Sequence, residues 1–543
     1  MRPLFLLAFA GIAAGPALLT ANVPVYQVYE AEFQASKAPE APLLMRPRVI
    51  FTQPGGAEAA VEAFWDGGAS YRVRFQPLRP GVHTYRVQSE DPGLDGKTGQ
   101  FTALRAAGPT ALDQHGPPVI SEDRRHFVHV SGQPWFWLAD TAWNGALLAT
   151  REEWEEYLKI RAAQRFTAVQ LVMPQWRAGR ADENGRIAFR VNGDRVEVDP
   201  IFFRRMDERV AAVRRAGLVP VPVMLWALSS RDRESPGAVL PPAQAAQLAR
   251  YINARYHAYS VLWMLGGDGN YRGEENAARW REIGRLTFPP GLLRRPVTMH
   301  PGGMHEPWEF FKDEPWLDFL TYQSGHGGDA RKWQWQAYRG PALGWRLEPP
   351  RPVIDAEPNY EGHNSYQAGV PIDAAAVRRA AWYSLLAAPI AGVSYGAHGV
   401  WPWIRQKSVP LDHPRSGEAD PWRECLNYPG AAHMKALVEI LDRLPWHQLR
   451  PDAPLAAPTP VDEGFTNYIP AAKTPDGSLA LAYLPANPTA VFDLSSFEKG
   501  VRAAFINPRS GERLSAMDLP AESQVTVKAP GPGDWLLLFE RRR

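Results

Sequence analysis

Between residues 112 and 446, short apolar runs alternate with amphipathic segments. The runs cover residues 135–139, 166–173, 219–226, 261–265, 296–299, 317–322, 352–355 and 390–395. Each is continuous rather than alternating, the pattern of a strand buried on both faces of a parallel sheet. Helices are predicted between most of them. Thr150-Arg-Glu-Glu153 is a capping box, and Trp154, Tyr157 and Leu158 fall on one face of the helix it opens. Asp199-Pro200 is an N-cap followed by a proline at the first helical position, and that helix stops at Gly217. Asp373 caps a third helix, and residues 431–444 form a closing one. Strand–helix units in this number predict an α/β fold, a (β/α)8 TIM barrel with long loops. Pro220 and Pro222 lie where the third strand needs ladder N–H groups, so that strand is expected to start nearer Val223.

The flanks have a different rhythm. In residues 22–108, strand-like segments at 26–33, 71–75 and 82–87 are separated by turns, with Asp66-Gly67-Gly68 as a hairpin turn. Residues 479–484, 501–506, 524–528 and 535–539 repeat the pattern beyond a proline-rich connector at 451–460. A β-sandwich is expected on each side of the barrel: 22–108 before it, 112–446 for the barrel, 451–543 after it. The first 21 residues carry Arg2, an apolar run at 4–14 and small residues up to Leu19-Thr20-Ala21. They read as a secretory signal peptide, which makes the protein exported, periplasmic or extracellular, with no membrane span in the mature chain.

Composition narrows the function. The 543 residues carry 60 Lys+Arg against 58 Asp+Glu, so there is no electrostatic footprint for nucleic acid. The single cysteine, Cys425, rules out an internal disulfide and cysteine-based metal sites. The 20 tryptophans supply either large cores or flat faces for ligands to stack on.

In such a barrel, working residues project from the C-terminal ends of the strands. Those ends carry Asp140 and Trp143, Gln175-Trp176, Trp226, Asp268, His300, His326, Glu357, and then His398 and Trp401. Strands four and seven lie roughly opposite each other, so Asp268 and Glu357 are expected to meet across one cavity. Two facing carboxylates are what glycoside hydrolysis requires: one protonates the leaving oxygen, the other attacks the anomeric carbon or activates water. Gly266 and Gly267 allow a sharp backbone turn at Asp268. Tryptophan faces suit sugar C–H faces, and histidines supply donors and acceptors for hydroxyls. Asp355, two residues before Glu357, is a rival carboxylate, and Glu361 a lesser one. A metal held by His300, His326 and Asp268 is a further alternative, although no His-x-His ends strand one. There is no phosphate-loop lysine, no dinucleotide fingerprint and no Gly-x-Ser-x-Gly elbow.

Four ordered blocks carry a family resemblance: Trp135-Phe-Trp-Leu-Ala-Asp-Thr-Ala-Trp143, Trp263-Met-Leu-Gly-Gly-Asp-Gly-Asn270, Asp355-Ala-Glu-Pro-Asn-Tyr-Glu361 and Ser394-Tyr-Gly-Ala-His-Gly-Val-Trp401. They resemble the apiosidase-like glycoside hydrolases, TIM barrels of the large retaining clan. Residues 51–102 are similar to the immunoglobulin-like domain often found before such barrels, and the tail to a collagen-binding-like sandwich. The resemblance implies Asp268 as general acid/base and Glu357 as nucleophile. Asp140, Trp143, His398 and Trp401 would line the subsite for the released sugar. Trp226, Asn270, His300, His326 and Tyr360 are also expected to bind substrate. It implies no metal or organic cofactor, and as partner a carbohydrate, a plant cell-wall glycan from which a terminal pentose-like sugar is released. The competing expectation is a carbohydrate- or matrix-binding protein whose barrel no longer turns over.

Overall fold

The computed structural model describes residues 21–228, 232–457 and 461–542. The expected signal peptide lies outside the described residues except for Ala21, which opens a strand, Ala21–Pro24. In the N-terminal part a five-stranded sheet faces a three-stranded one made of Tyr29–Gln34, Phe64–Gly67 and Ser70–Phe75. Aromatic rings fill the space between the sheets. Phe51 stacks on Phe75 with centroids 4.2 Å apart, and Tyr29 on Phe101 at 3.9 Å. The predicted hairpin turns at Gly67 and Gly68, both with positive φ (107° and 55°), which glycine adopts without steric cost.

All eight apolar runs become strands of one parallel sheet. In chain order they are Trp137–Thr141, Ala168–Val172, Val219–Trp226, Trp263–Gly267, Val297–Thr298, Leu320–Tyr322, Val353–Asp355 and Gly392–Tyr395. Each neighbours its successor and the eighth pairs with the first, so the sheet closes into a barrel except between strands five and six. That seam is bridged by Asp318: its N–H donates to Val297 O at 2.9 Å and its carboxylate accepts Val297 N–H at 2.9 Å.

The third strand corrects the sequence expectation, because it includes both prolines. Val219, Pro220, Val221 and Pro222 pair in register with strand two. Bonds from alternate residues of a parallel strand go to opposite neighbours. Val219 N–H donates to Thr167 O on the strand-two side, and Pro220 O accepts Leu262 N–H on the other. The missing proline N–H groups therefore face strand four, whose pairing begins only at Val223 opposite Met264.

The helix caps form as the sequence implies. Thr150 and Glu153 close a reciprocal box on Arg151–Ala163. Asp199 accepts Ile201 N–H at the start of Pro200–Arg215, and Asp373 accepts Ala376 N–H at the start of Ala374–Leu386. The closing helix runs Pro429–Leu441, two residues earlier than expected, because Pro429 takes the first position. After it, a six-stranded sheet and a two-stranded one build the C-terminal sandwich on their own buried core. Among the described residues no helix is long and apolar enough to cross a membrane.

Buried ion pairs fasten both sandwiches to the barrel. Arg74, on a strand of the N-terminal sandwich, meets Asp207 of helix Pro200–Arg215 at 2.7 Å, and Arg255 of helix Pro242–Tyr256 meets the same carboxylate at 2.6 Å. Arg255 also reaches back to Asp66 of the sandwich at 2.9 Å. On the other side Arg378 forms a fork with Asp534 at 2.6 and 2.7 Å, and Asp534 also accepts from Tyr483 and Arg509. Asp207→Ala takes the shared carboxylate from two buried guanidinium groups, leaving Arg74 with Glu30 at 2.7 Å and Arg255 with Asp66, and is expected to lower stability by about 1–3 kcal/mol, the cost of the lost charged hydrogen bonds. Thermal melting of the variant against wild type checks this. An unchanged Tm would show that the docking does not depend on the pair.

Candidate active site

Strand four delivers Asp268 to the barrel rim. Gly266 and Gly267 are not where the chain turns, contrary to expectation. A Cβ on Gly266 would lie 2.5 Å from the Tyr271 hydroxyl oxygen, and one on Gly267 would lie 2.6 Å from Trp226 and Val223. These glycines are needed for room. The turn itself is at Asp268, which takes the left-handed region with φ +48°. A non-glycine residue there is strained by roughly 1–3 kcal/mol, a cost that tends to collect at functional sites.

Strand seven delivers Glu357. Its rival Asp355 is the last strand residue and points the other way. It accepts Ser324 N–H at 3.2 Å and the Ser384 hydroxyl at 2.8 Å, so it ties strand seven to its neighbours and lies outside the cavity lining. The strand ends at Asp355, and past it Glu357 turns inward. Glu361 is likewise structural, accepting from Tyr395 Oη at 2.7 Å and from Gly430 N–H.

Asp268 and Glu357 line one cavity of about 350 Å³ at the C-terminal end of the strands. His300 Nε2 and His326 Nε2 approach Glu357 at 2.8 and 3.0 Å. An ionised carboxylate only accepts, so both rings must carry a proton on Nε2 and donate it. Burial alone would raise the Glu357 pKa. The two histidine bonds outweigh it and hold the group well below the ordinary carboxylate range. Asp268 has no such donors among the described residues. Burial, and then the negative charge of Glu357, push its pKa up to about 7.

Four tryptophans wall the closed end: Trp143, Trp176, Trp226 and Trp401. Trp176 and Trp226 pack 4.4 Å apart, and Trp143 and Trp226 5.3 Å. Trp143 Nε1–H donates to Tyr360 Oη at 3.0 Å, fixing both rings. The indole N–H groups of Trp226 and Trp401 and Gln323 Oε1 are buried with no partner among the described residues. Buried polar atoms in folded proteins are normally bonded, so these are open positions for ligand hydroxyls.

The expected binding set divides. Trp143, Trp226, His326, Tyr360 and Trp401 line the cavity. His300 is fully buried behind Glu357 and holds that carboxylate instead of a sugar. Three of the expected residues lie outside the cavity lining. Asp140 faces outward, because the first strand runs one residue further, to Thr141, and alternation turns Asp140 to the helices. There it accepts from Tyr157 Oη at 2.8 Å and Arg161 Nε at 2.6 Å. Asn270 is exposed and accepts Arg272 N–H, shaping the loop. His398 lies behind His363, ring centroids 4.8 Å apart, with Nδ1 bonded to Gly362 O. Arg177, His363, Tyr366 and His413 line the cavity without having been singled out by sequence. They sit on loops, where no periodic pattern marks them. Trp176, at the end of strand two, lines the cavity as well. Among the described residues no group of three histidine, cysteine or carboxylate side chains is arranged to hold a metal ion, so the alternative of a metal at His300, His326 and Asp268 has no donor set.

A nearly closed parallel barrel with two oppositely poised carboxylates at the ends of strands four and seven defines a TIM barrel of the glycoside hydrolase type. Residues 121–448, more than half of the chain, match the family model "Apiosidase-like, catalytic domain", and the chain belongs to that family. Residues 22–90 match a domain of unknown function, DUF5060. Among solved structures, a glycoside hydrolase is similar at 20% identity and TM-score 0.67, covering 80% of this chain and 98% of its own. A glycoside hydrolase family 5 protein from Bacteroides vulgatus is similar at 22% identity and TM-score 0.68, covering 80% and 95%. A third, from the same strain and assigned provisionally to the glycoside hydrolases, is 16% identical with TM-score 0.67 over 96% of this chain and 100% of its own. No curated protein matches the chain.

Proposed function

We propose that the protein is an exported retaining glycoside hydrolase. It releases a terminal pentose-like sugar, apiose-type, from a side chain of a plant cell-wall polysaccharide by double displacement. The supporting observation is the opposite poise of two carboxyls in one cavity, Asp268 pushed up to about 7 and Glu357 held low. Pairs pushed apart in this way mark acid and base assignments. Glu357 attacks the anomeric carbon as the glycosidic C–O bond breaks, and Asp268 gives its proton to the leaving oxygen. The product is a glycosyl ester of Glu357 and an ionised Asp268. Asp268 then takes a proton from water, whose oxygen attacks the anomeric carbon and returns Glu357 as carboxylate. Retention requires the two carboxyl groups about 5–5.5 Å apart. Export rests on the apolar run at 4–14 behind Arg2, and the pentose and plant source rest on the family alone.

The test is digestion of a panel of plant glycans, with the first-formed anomer followed by NMR. Release of a terminal pentose with its configuration kept is expected. Inversion would remove Glu357 from the nucleophile role.

A further inference from the structure

One aromatic ring in the cavity is unlike the rest. Trp143, Trp176, Trp226 and Trp401 are each no more than 3% exposed, whereas Tyr366, which lines the same cavity, is 40% exposed. Its position is nevertheless fixed. Tyr366 N–H donates to His326 O at 3.1 Å, and Arg415 Nη2 donates to Tyr366 O at 3.2 Å. The Arg415 guanidinium also packs over the ring, 5.2 Å from its centroid, and His363 meets it edge-on at 5.1 Å. The loop beneath is tied by Ser365 N–H to Val370 O at 2.8 Å and by Asn364 N–H to Ser416 O at 2.9 Å. Burial, followed by the charges of Glu357 and Asp268, pushes the Tyr366 hydroxyl up to about 12, so it stays protonated as a donor.

The cavity thus has a closed end of buried indoles and an open side with a pre-set phenol ring. A terminal sugar reacting between Asp268 and Glu357 occupies the closed end. The group it is attached to extends through the open side. We propose that Tyr366 is the stacking platform of a second sugar subsite, which takes the C–H face of the ring linked to the reacting one. The substrate is then an oligo- or polysaccharide rather than a small glycoside. This inference rests on the glycosidase reading above, so its test reads binding and not turnover.

Wild type, Tyr366→Phe and Tyr366→Ala are run by affinity electrophoresis through gels containing soluble pectin, arabinoxylan or xyloglucan. Thermal melts confirm that each variant is folded. Retardation of wild type and Tyr366→Phe in at least one gel, with affinity about tenfold weaker in Tyr366→Ala, is expected from the loss of one stacking face. Equal retardation of Tyr366→Ala, or no retardation of wild type in any gel, overturns the platform. A Tyr366-dependent retardation without sugar release keeps the platform and removes the glycosidase reading. Sugar release with a KM that Tyr366→Ala does not change does the reverse.

Discussion

Glu357→Gln is expected to lower kcat by at least about 10⁴-fold, because an amide cannot form the glycosyl ester on which double displacement depends. The fold should survive the change. His300 and His326 both donate to the carboxylate, and a glutamine offers one oxygen and one NH2 in its place. One imidazole must then accept instead of donate, which needs only a shift of its proton to Nδ1. The Nδ1 atoms of both rings have no protein partner, so no existing bond is lost. Loss of turnover with a Tm within a few degrees of wild type is therefore the expected pair of results. Turnover above about one per cent of wild type would place the nucleophile elsewhere. A wild type that binds a glycan and releases no sugar would leave a binding protein on a glycosidase scaffold.

Asp268→Asn is expected to cost about 10²–10⁴ in kcat, the range for loss of a general acid. The loss should shrink for substrates whose leaving group needs no proton. The wild-type pH profile carries the second half of the test. Asp268 must be protonated to act as the acid, and its pKa lies near 7, so kcat/KM should fall as pH rises through about 7. Glu357 must be ionised, and it is held below the ordinary carboxylate range, so the acidic limb should lie below that range. In Asp268→Asn the limb near 7 should vanish, and its persistence would assign the acid to another group. Stability follows the same linkage with the opposite consequence. A carboxyl whose folded pKa is raised above its unfolded one destabilises the fold progressively as pH rises from the ordinary carboxylate range to about 7. The asparagine variant should therefore melt higher than wild type at pH 8 and show no such gain at pH 3.

The apolar runs located every barrel strand because a strand buried on both faces has no polar alternation to hide it. The helix caps at Thr150, Asp199 and Asp373 were legible for an equally local reason, each being a side chain bonded to a backbone N–H within three residues. The prolines of strand three misled because their acceptability depends on where the neighbouring strand begins to pair, a fact about strand four. Asp140 misled for a related reason. Whether a strand-end residue points into a barrel or out of it changes with a single residue of strand length, and here the strand ends at Thr141.

The chain by itself determined the barrel, the sandwich on each side and the candidate pair Asp268 and Glu357, since all of these follow from periodicity and from residue types at the ends of strands. Only the tertiary structure decided that Asp355 and Asp140 face outward while Glu357 faces in. It alone showed that two histidines from strands five and six converge on that one carboxylate, and that Asp268 is left without a donor among the described residues. Those outcomes depend on distances between segments far apart in sequence, and the poise of each carboxyl is set by what packs against it rather than by its own neighbours along the chain.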